Sequence, residues 1–137
     1  MDARRVLIAS SVALGAAGLT AIFLPQEALA RMGVHASVQG VTLVQLLGAA
    51  LLGFAFLNWS AKGSRVGGIY NRPLVLANLV HFVTGALTLA RLVPGRWSIP
   101  LVAVTIVYGL LATAFAGLLF GDPIGREAGA SANAARS

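Results

Sequence analysis

Few side chains in this sequence could do chemistry, and where they stand matters more than how many there are. Asn58, Asn78, His81 and Tyr108 lie inside long apolar runs, where an uncompensated polar group is costly and needs a reason. Asn58 falls near the end of the second run and Asn78 about one turn into the third, so a hairpin brings both to similar depth. Asn78, His81, Gly85 and Thr88 follow the i, i+3, i+7 rhythm of one helical face. Gly85 is expected to leave open space beside the imidazole, and Tyr108, midway along the fourth run, reaches the same layer. Gln45 belongs to the opposite half of the membrane and stands outside this cluster.

The cluster has two readings. In one, Asn58, Asn78, His81 and Tyr108 line a polar pocket open toward the cytoplasmic leaflet, where His81 exchanges a proton or hydrogen-bonds a quinone-like or other small apolar ligand. In the other, Asn58, Asn78 and His81 bond one another and fix the pairing of helices two and three, at about 0.6 kcal/mol per contact in membranes. Neither requires a cofactor. A b-type haem would need two histidines at matched depth, and His35 lies in an outer loop, so only a homo-oligomer sharing two copies of His81 could supply them.

The basic hairpin NWSAKGSRVGGIYNRP offers a second candidate site. Lys62, Arg65 and Arg72 alternate with Gly63, Gly67 and Gly68, whose backbone turns freely and exposes amide hydrogens. With Trp59 and Tyr70, these cations suit an anionic lipid headgroup or the acidic face of a partner membrane subunit. The competing reading is retention of positive charge on a cytoplasmic turn. The order G-x-x-x-x-G-K-[ST] is absent, so the loop is not a nucleotide-binding P-loop.

Catalytic constellations are missing. The four carboxylates, Asp2, Glu27, Asp122 and Glu127, lie in loops or near the ends, and neither G-x-S-x-G nor H-E-x-x-H occurs. With no cysteine, disulfides and thiolate metal sites are excluded. An enzyme would have to work with His81 and Tyr108 alone, and a non-enzymatic accessory or scaffold protein is the first expectation.

The elements that must position these residues follow from composition. Of 137 residues 58% are hydrophobic and 10% charged, against about 45–50% and 25% in soluble domains, so the solvent is a bilayer. Four runs long enough to cross about 30 Å of hydrocarbon are present: Val6 to Leu24, Val41 to Trp59, Leu74 to Leu92 and Ile99 to Phe120. Pro25, Pro73, Pro94, Pro100 and Pro123 all fall at run ends or in first turns, where a helix accepts proline. Ser98 is placed to cap the fourth helix. The reading is an all-α, four-helix transmembrane bundle over residues 1–121, with a disordered tail over 122–137.

The net charge of +6 reads as topology rather than as nucleic-acid binding, because the basic residues lie between the runs. Arg4, Arg5, Lys62, Arg65, Arg72, Arg126 and Arg136 fall on one side, Arg31, Arg91 and Arg96 on the other, which makes both termini cytoplasmic. Trp59 and Tyr70 on the inner side and Trp97 on the outer match interfacial aromatic belts. Arg4 and Arg5, an apolar run and Ala28-Leu29-Ala30 imitate a cleaved secretory signal. The run of about 19 residues, however, exceeds the 7–15 of a signal core. PQEALARMG, with Leu29 and Met32 three apart, suits a short amphipathic turn on the outer surface.

Small residues at four-residue spacing predict where helices approach closely. The first span offers Ala9, Ala13, Ala17 and Ala21, with Ser11 and Gly15 alongside, the second Ala49 and Gly53, and the fourth Gly109, Thr113, Gly117 and Gly121.

The segment Gln45 to Leu89, with Asn58-Trp59, Lys62-Gly63, Gly67-Gly68-Ile69-Tyr70, Arg72-Pro73, Asn78 and His81-Phe82, resembles small four-span bacterial integral membrane proteins, which are similar in layout to the DoxX-like families. That resemblance implies a multi-pass protein of the bacterial cytoplasmic (inner) membrane. It brings no reaction, and it singles out the hairpin and the Asn78/His81 face.

Overall fold

The computed structural model describes residues 2–63, 72–95 and 97–120. Five helices follow in order: α1 (Ala3–Phe23), α2 (Pro25–Arg31), α3 (Val38–Ala61), α4 (Arg72–Leu92) and α5 (Ile99–Phe120). All but the short α2 are long and apolar enough to cross a membrane, so the chain is a multi-pass, all-α membrane protein. Helices α1 and α4 begin three and two residues before the apolar runs, their first turns carrying Arg4, Arg5 and Arg72, and α3 begins three residues early at Val38, behind its Ser37 cap.

Local chemistry sets the ends. Asp2 accepts from Arg4 N at 3.1 Å, Ser37 from Gly40 N at 3.1 Å and Ser98 from Leu101 N at 3.4 Å, capping α1, α3 and α5. Pro25 opens α2. Gly33, at φ 68, closes it: Gly33 N donates to Ala30 O and Val34 N to Leu29 O, a left-handed cap that a residue with a Cβ adopts poorly. Leu29 is buried and Met32 exposed, so α2 rests one apolar edge on the bundle.

The helices associate as two close pairs, α1 with α3 and α4 with α5. The seam of α1 is Leu7, Ser11, Leu14, Gly18 and Ala21, alternating steps of four and three. At its tightest point a methyl on Gly18 would sit 2.9 Å from the carbonyl oxygen of Gly48, and one on Gly48 would sit 2.8 Å from that of Gly18. Ser11 Oγ reinforces this crossing by donating to Ala55 O at 2.7 Å.

The expected small-residue stripes join these seams only at Ala21 and at Ser11 and Gly15 beside it. Ala9 and Ala17 are exposed and Ala13 only partly covered, while Ala49, Thr113 and Gly117 are exposed, and Gly53 and Gly109 face open space. The stripe rule ignores that leucines and serines of the true seam interlock with the partner helix, so a single glycine on each helix suffices for close approach. Gly121 lies outside the described residues, as do the expected tail, Arg65 and Tyr70.

Burial is lopsided along the bundle. In α4 the buried residues are Val75, Asn78 and Phe82, none beyond its midpoint; in α5 they are Leu111, Ala112, Phe115 and Leu118, all in its second half. Both sets lie toward the end where α1 begins and α5 stops, called here the terminal end. There the two pairs are pressed together. Toward the opposite end, which carries α2, they are not.

Candidate functional site

Two polar layers sit in the packed half, one turn apart, and they differ in kind. Nearest the terminal end is an amide clasp. Asn58 Nδ2 donates to Asn78 Oδ1 at 2.8 Å and to Ser10 Oγ at 3.0 Å; Asn78 Nδ2 donates to Asn58 Oδ1 at 2.7 Å and to Leu74 O at 2.9 Å. Ser10 in turn donates to Leu7 O at 3.1 Å. Three helices are thereby joined in a dry core, with Asn58 0% and Asn78 1% exposed. Every amide hydrogen of both asparagines is used, so neither has a donor left for a ligand.

The second layer is aromatic and holds His81. Its ring stacks on Phe54 of α3 at 4.9 Å between centroids and 25° between planes, meets Phe82 edge-on at 5.2 Å, and lies 5.6 Å from the Tyr108 ring. Phe82 continues the layer to Phe115 at 5.6 Å. Tyr108 Oη and His81 Nε2 are 3.3 Å apart, a long hydrogen bond in which the imidazole tautomer decides the donor. Nδ1 of His81 bonds no group among the described residues, and no side-chain polar atom among them is both sealed from its surroundings and unpaired. That nitrogen is therefore open at the surface of the layer.

These positions correct the sequence expectations in two respects. His81 does not bond the asparagines, because Asn58 and Asn78 satisfy each other and Ser10 completes the set. The space beside Gly85 is not empty: a methyl there would lie 2.5 Å from Cδ1 and Cε1 of Tyr108, so the missing side chain is what lets the tyrosine ring lie against α4. Sequence reasoning passed over Ser10 and Phe54. Ser10 shares the face of Leu7 and Leu14, and Phe54 stands one turn before Asn58 on the same face, so helical spacing from the singled-out residues would have found both.

Gln45 and five of the threonines bond locally. Gln45 Nε2 donates to Ile22 O at 3.3 Å, at the end of α1 that faces α2, well away from the clasp. Thr20, Thr42, Thr88, Thr105 and Thr113 each donate to the carbonyl one turn back, as membrane helices allow. His35 is exposed in the segment after α2, beside Gln26 and Val34.

Of the hairpin residues, Trp59, Lys62 and Arg72 are described. Lys62 Nζ sits 2.9 Å from the centroid of the Trp59 ring, a cation–π pair that closes α3. Trp59 at the terminal end and Trp97 at the α2 end are both exposed, one at each end of the membrane-crossing length. No group of three or more His, Cys, Asp or Glu that could hold a metal occurs among the described residues. Comparison with protein-family models, with curated proteins and with solved structures finds no match for this chain.

Proposed function

We propose that this is a non-enzymatic protein of the bacterial inner membrane, both termini cytoplasmic, that binds a small apolar molecule through His81 and Tyr108. The observation that carries the reading is the open Nδ1 of His81. A ring nitrogen left without a partner inside a hydrocarbon layer is costly, and a ligand carbonyl or hydroxyl group would satisfy it. The asparagines, saturated by each other, serve the fold and not the ligand. Phe54 on one face of the imidazole and Tyr108 on its other nitrogen hold the ring in one orientation, which is what a binding group needs. The inner-membrane assignment rests on the distribution of Lys and Arg and on the DoxX-like resemblance.

Protein purified from its native membrane, washed and extracted with organic solvent, tests this. His81→Phe keeps the stack on Phe54 and removes both nitrogens. A lipophile recovered near one per chain from the wild type, and lost in His81→Phe with the fold intact, supports the reading. Equal recovery from both contradicts it.

A second reading has its own observation. The cation–π pair of Lys62 and Trp59 at the end of α3, and exposed Arg72 at the start of α4, put basic charge on both sides of the hairpin. On this reading the hairpin recruits an anionic lipid or a partner subunit. Charge reversal at Lys62, Arg65 and Arg72 would then change the co-purifying lipids or partners.

A further inference from the structure

The face of α3 that meets α4 is buried only over part of its length. Asn58, Phe54, Leu51 and Leu47 follow one another at helical spacing on that face. Leu51 is 4% exposed, but the next positions toward the α2 end, Leu47 and Leu43, are 53% and 66% exposed. The facing side of α4 behaves in the same way. Beyond buried Asn78 and half-buried His81, Thr88 is exposed and so is Leu92. The two helices therefore meet from the amide clasp to the Phe54–His81 stack and part beyond it. The cleft they leave opens toward the α2 end and sideways to the bilayer, and His81 stands at its floor.

We infer that this cleft is a lateral berth for a neutral, bilayer-dissolved molecule with a long apolar body and a single hydroxyl or carbonyl group, whose polar group reaches Nδ1 of His81. The inference rests on the ligand reading above and adds the ligand's class and its path. Chemistry along the walls selects the body: Leu43, Leu47 and Ala50 on α3 and Thr88 and Leu92 on α4 are all exposed, with no charge among them. Depth selects the head. His81 lies near the middle of the 21-residue α4, roughly 15 Å from the helix end at 1.5 Å per residue. The ester carbonyls and phosphate of a phospholipid stay at the interface and do not reach that depth, whereas an uncharged alcohol or ketone dissolved in the hydrocarbon does.

A hexadecanol carrying a mid-chain diazirine, photolysed with the full-length protein in phosphatidylcholine vesicles, tests the berth. Adducts mapped by peptide mass spectrometry are expected on Leu43, Leu47, Thr88 and Leu92 in preference to Ala49, which lies at equal depth on the opposite face of α3. Leu47→Trp fills the cleft and should lower those adducts roughly tenfold, the equivalent of one lost 1.4 kcal/mol contact set. Ala49→Trp should leave them unchanged. A phosphatidylcholine bearing the same diazirine should show no preference between the faces.

Equal labelling of both faces by the alcohol, or labelling indifferent to Leu47→Trp, overturns the berth. His81→Phe separates the two claims. If it abolishes the preference while Leu47→Trp does not, the His81 site stands and the cleft falls. If Leu47→Trp abolishes the preference and His81→Phe leaves it intact, the cleft binds chains without His81 and the ligand reading is the one that fails.

Discussion

Asn58 and Asn78 hold each other through two amide hydrogen bonds of 2.8 and 2.7 Å, and this reciprocity is what leaves His81 outside the amide clasp. Had either asparagine kept a free donor one turn from the imidazole, His81 would be one more member of that clasp. Because the clasp closes on itself, with Ser10 as its third member, His81 turns to Tyr108 instead and keeps one nitrogen open.

The clasp predicts strong coupling between its members. Asn58→Leu or Asn78→Leu alone strands the partner's amide in a dry core and should cost about 1–3 kcal/mol. The double variant strands nothing and should cost clearly less than the sum of the two. Thermal unfolding in detergent, read as a double-mutant cycle, checks this; additive losses would show that the pair does not act as a unit.

Glycine positions separate contact from bystander. Gly48→Ala places a methyl 2.8 Å from Gly18 O and 2.9 Å from the Ala21 Cβ, so α1 and α3 must move apart and the melting temperature should fall by several degrees or more. Gly53→Ala faces open space and should be neutral or raise the midpoint, since alanine is favoured over glycine in a helix by about 1 kcal/mol. The opposite ranking would place the α1–α3 crossing elsewhere.

Gly85→Ala acts on the site rather than on the bundle crossing. Its methyl would strike Cδ1 and Cε1 of Tyr108, turning the ring and breaking its contact with His81. Lipophile retention should fall roughly tenfold, while Gly109→Ala, with no atom near, should leave it unchanged. Retention that ignores Gly85→Ala would show that Tyr108 does not position the imidazole.

At the terminal end, Lys62→Gln removes the charge that sits on Trp59 and should cost about 0.5–1 kcal/mol of local stability. With two tryptophans in the chain, a Trp97→Phe background lets fluorescence report Trp59 alone. An unchanged Trp59 spectrum in Lys62→Gln would show that the pair does not persist in the bilayer.

Much of this fold is legible in the sequence because the bilayer imposes it. An apolar run of about 20 residues has few alternatives to a spanning helix, and prolines and capping serines mark the ends, as Pro25, Ser98 and Pro100 do. The pairing was harder to read. In hydrocarbon the hydrophobic pattern no longer points inward, so nothing in the sequence distinguishes Gly18 and Gly48, which touch, from Gly53 and Gly109, which do not.

The depth of Asn58 and Asn78 could be counted along two helices joined by a hairpin, and they do meet. Their sharing of Ser10, and the turn of His81 toward Phe54 and Tyr108, depend on the rotation of each helix about its axis, which seams such as Leu7, Ser11 and Leu14 decide.

On the ligand reading His81, and not the asparagine pair, receives the polar group. With two histidines in the chain, nitrogen NMR of protein labelled at histidine and asparagine side chains resolves it, comparing the protein as isolated with protein stripped of lipophiles. The His81 Nδ1 resonance should move on stripping while His35 and the Asn58 and Asn78 amides hold still. A stationary His81, or amide signals that move in its place, would contradict the ligand reading.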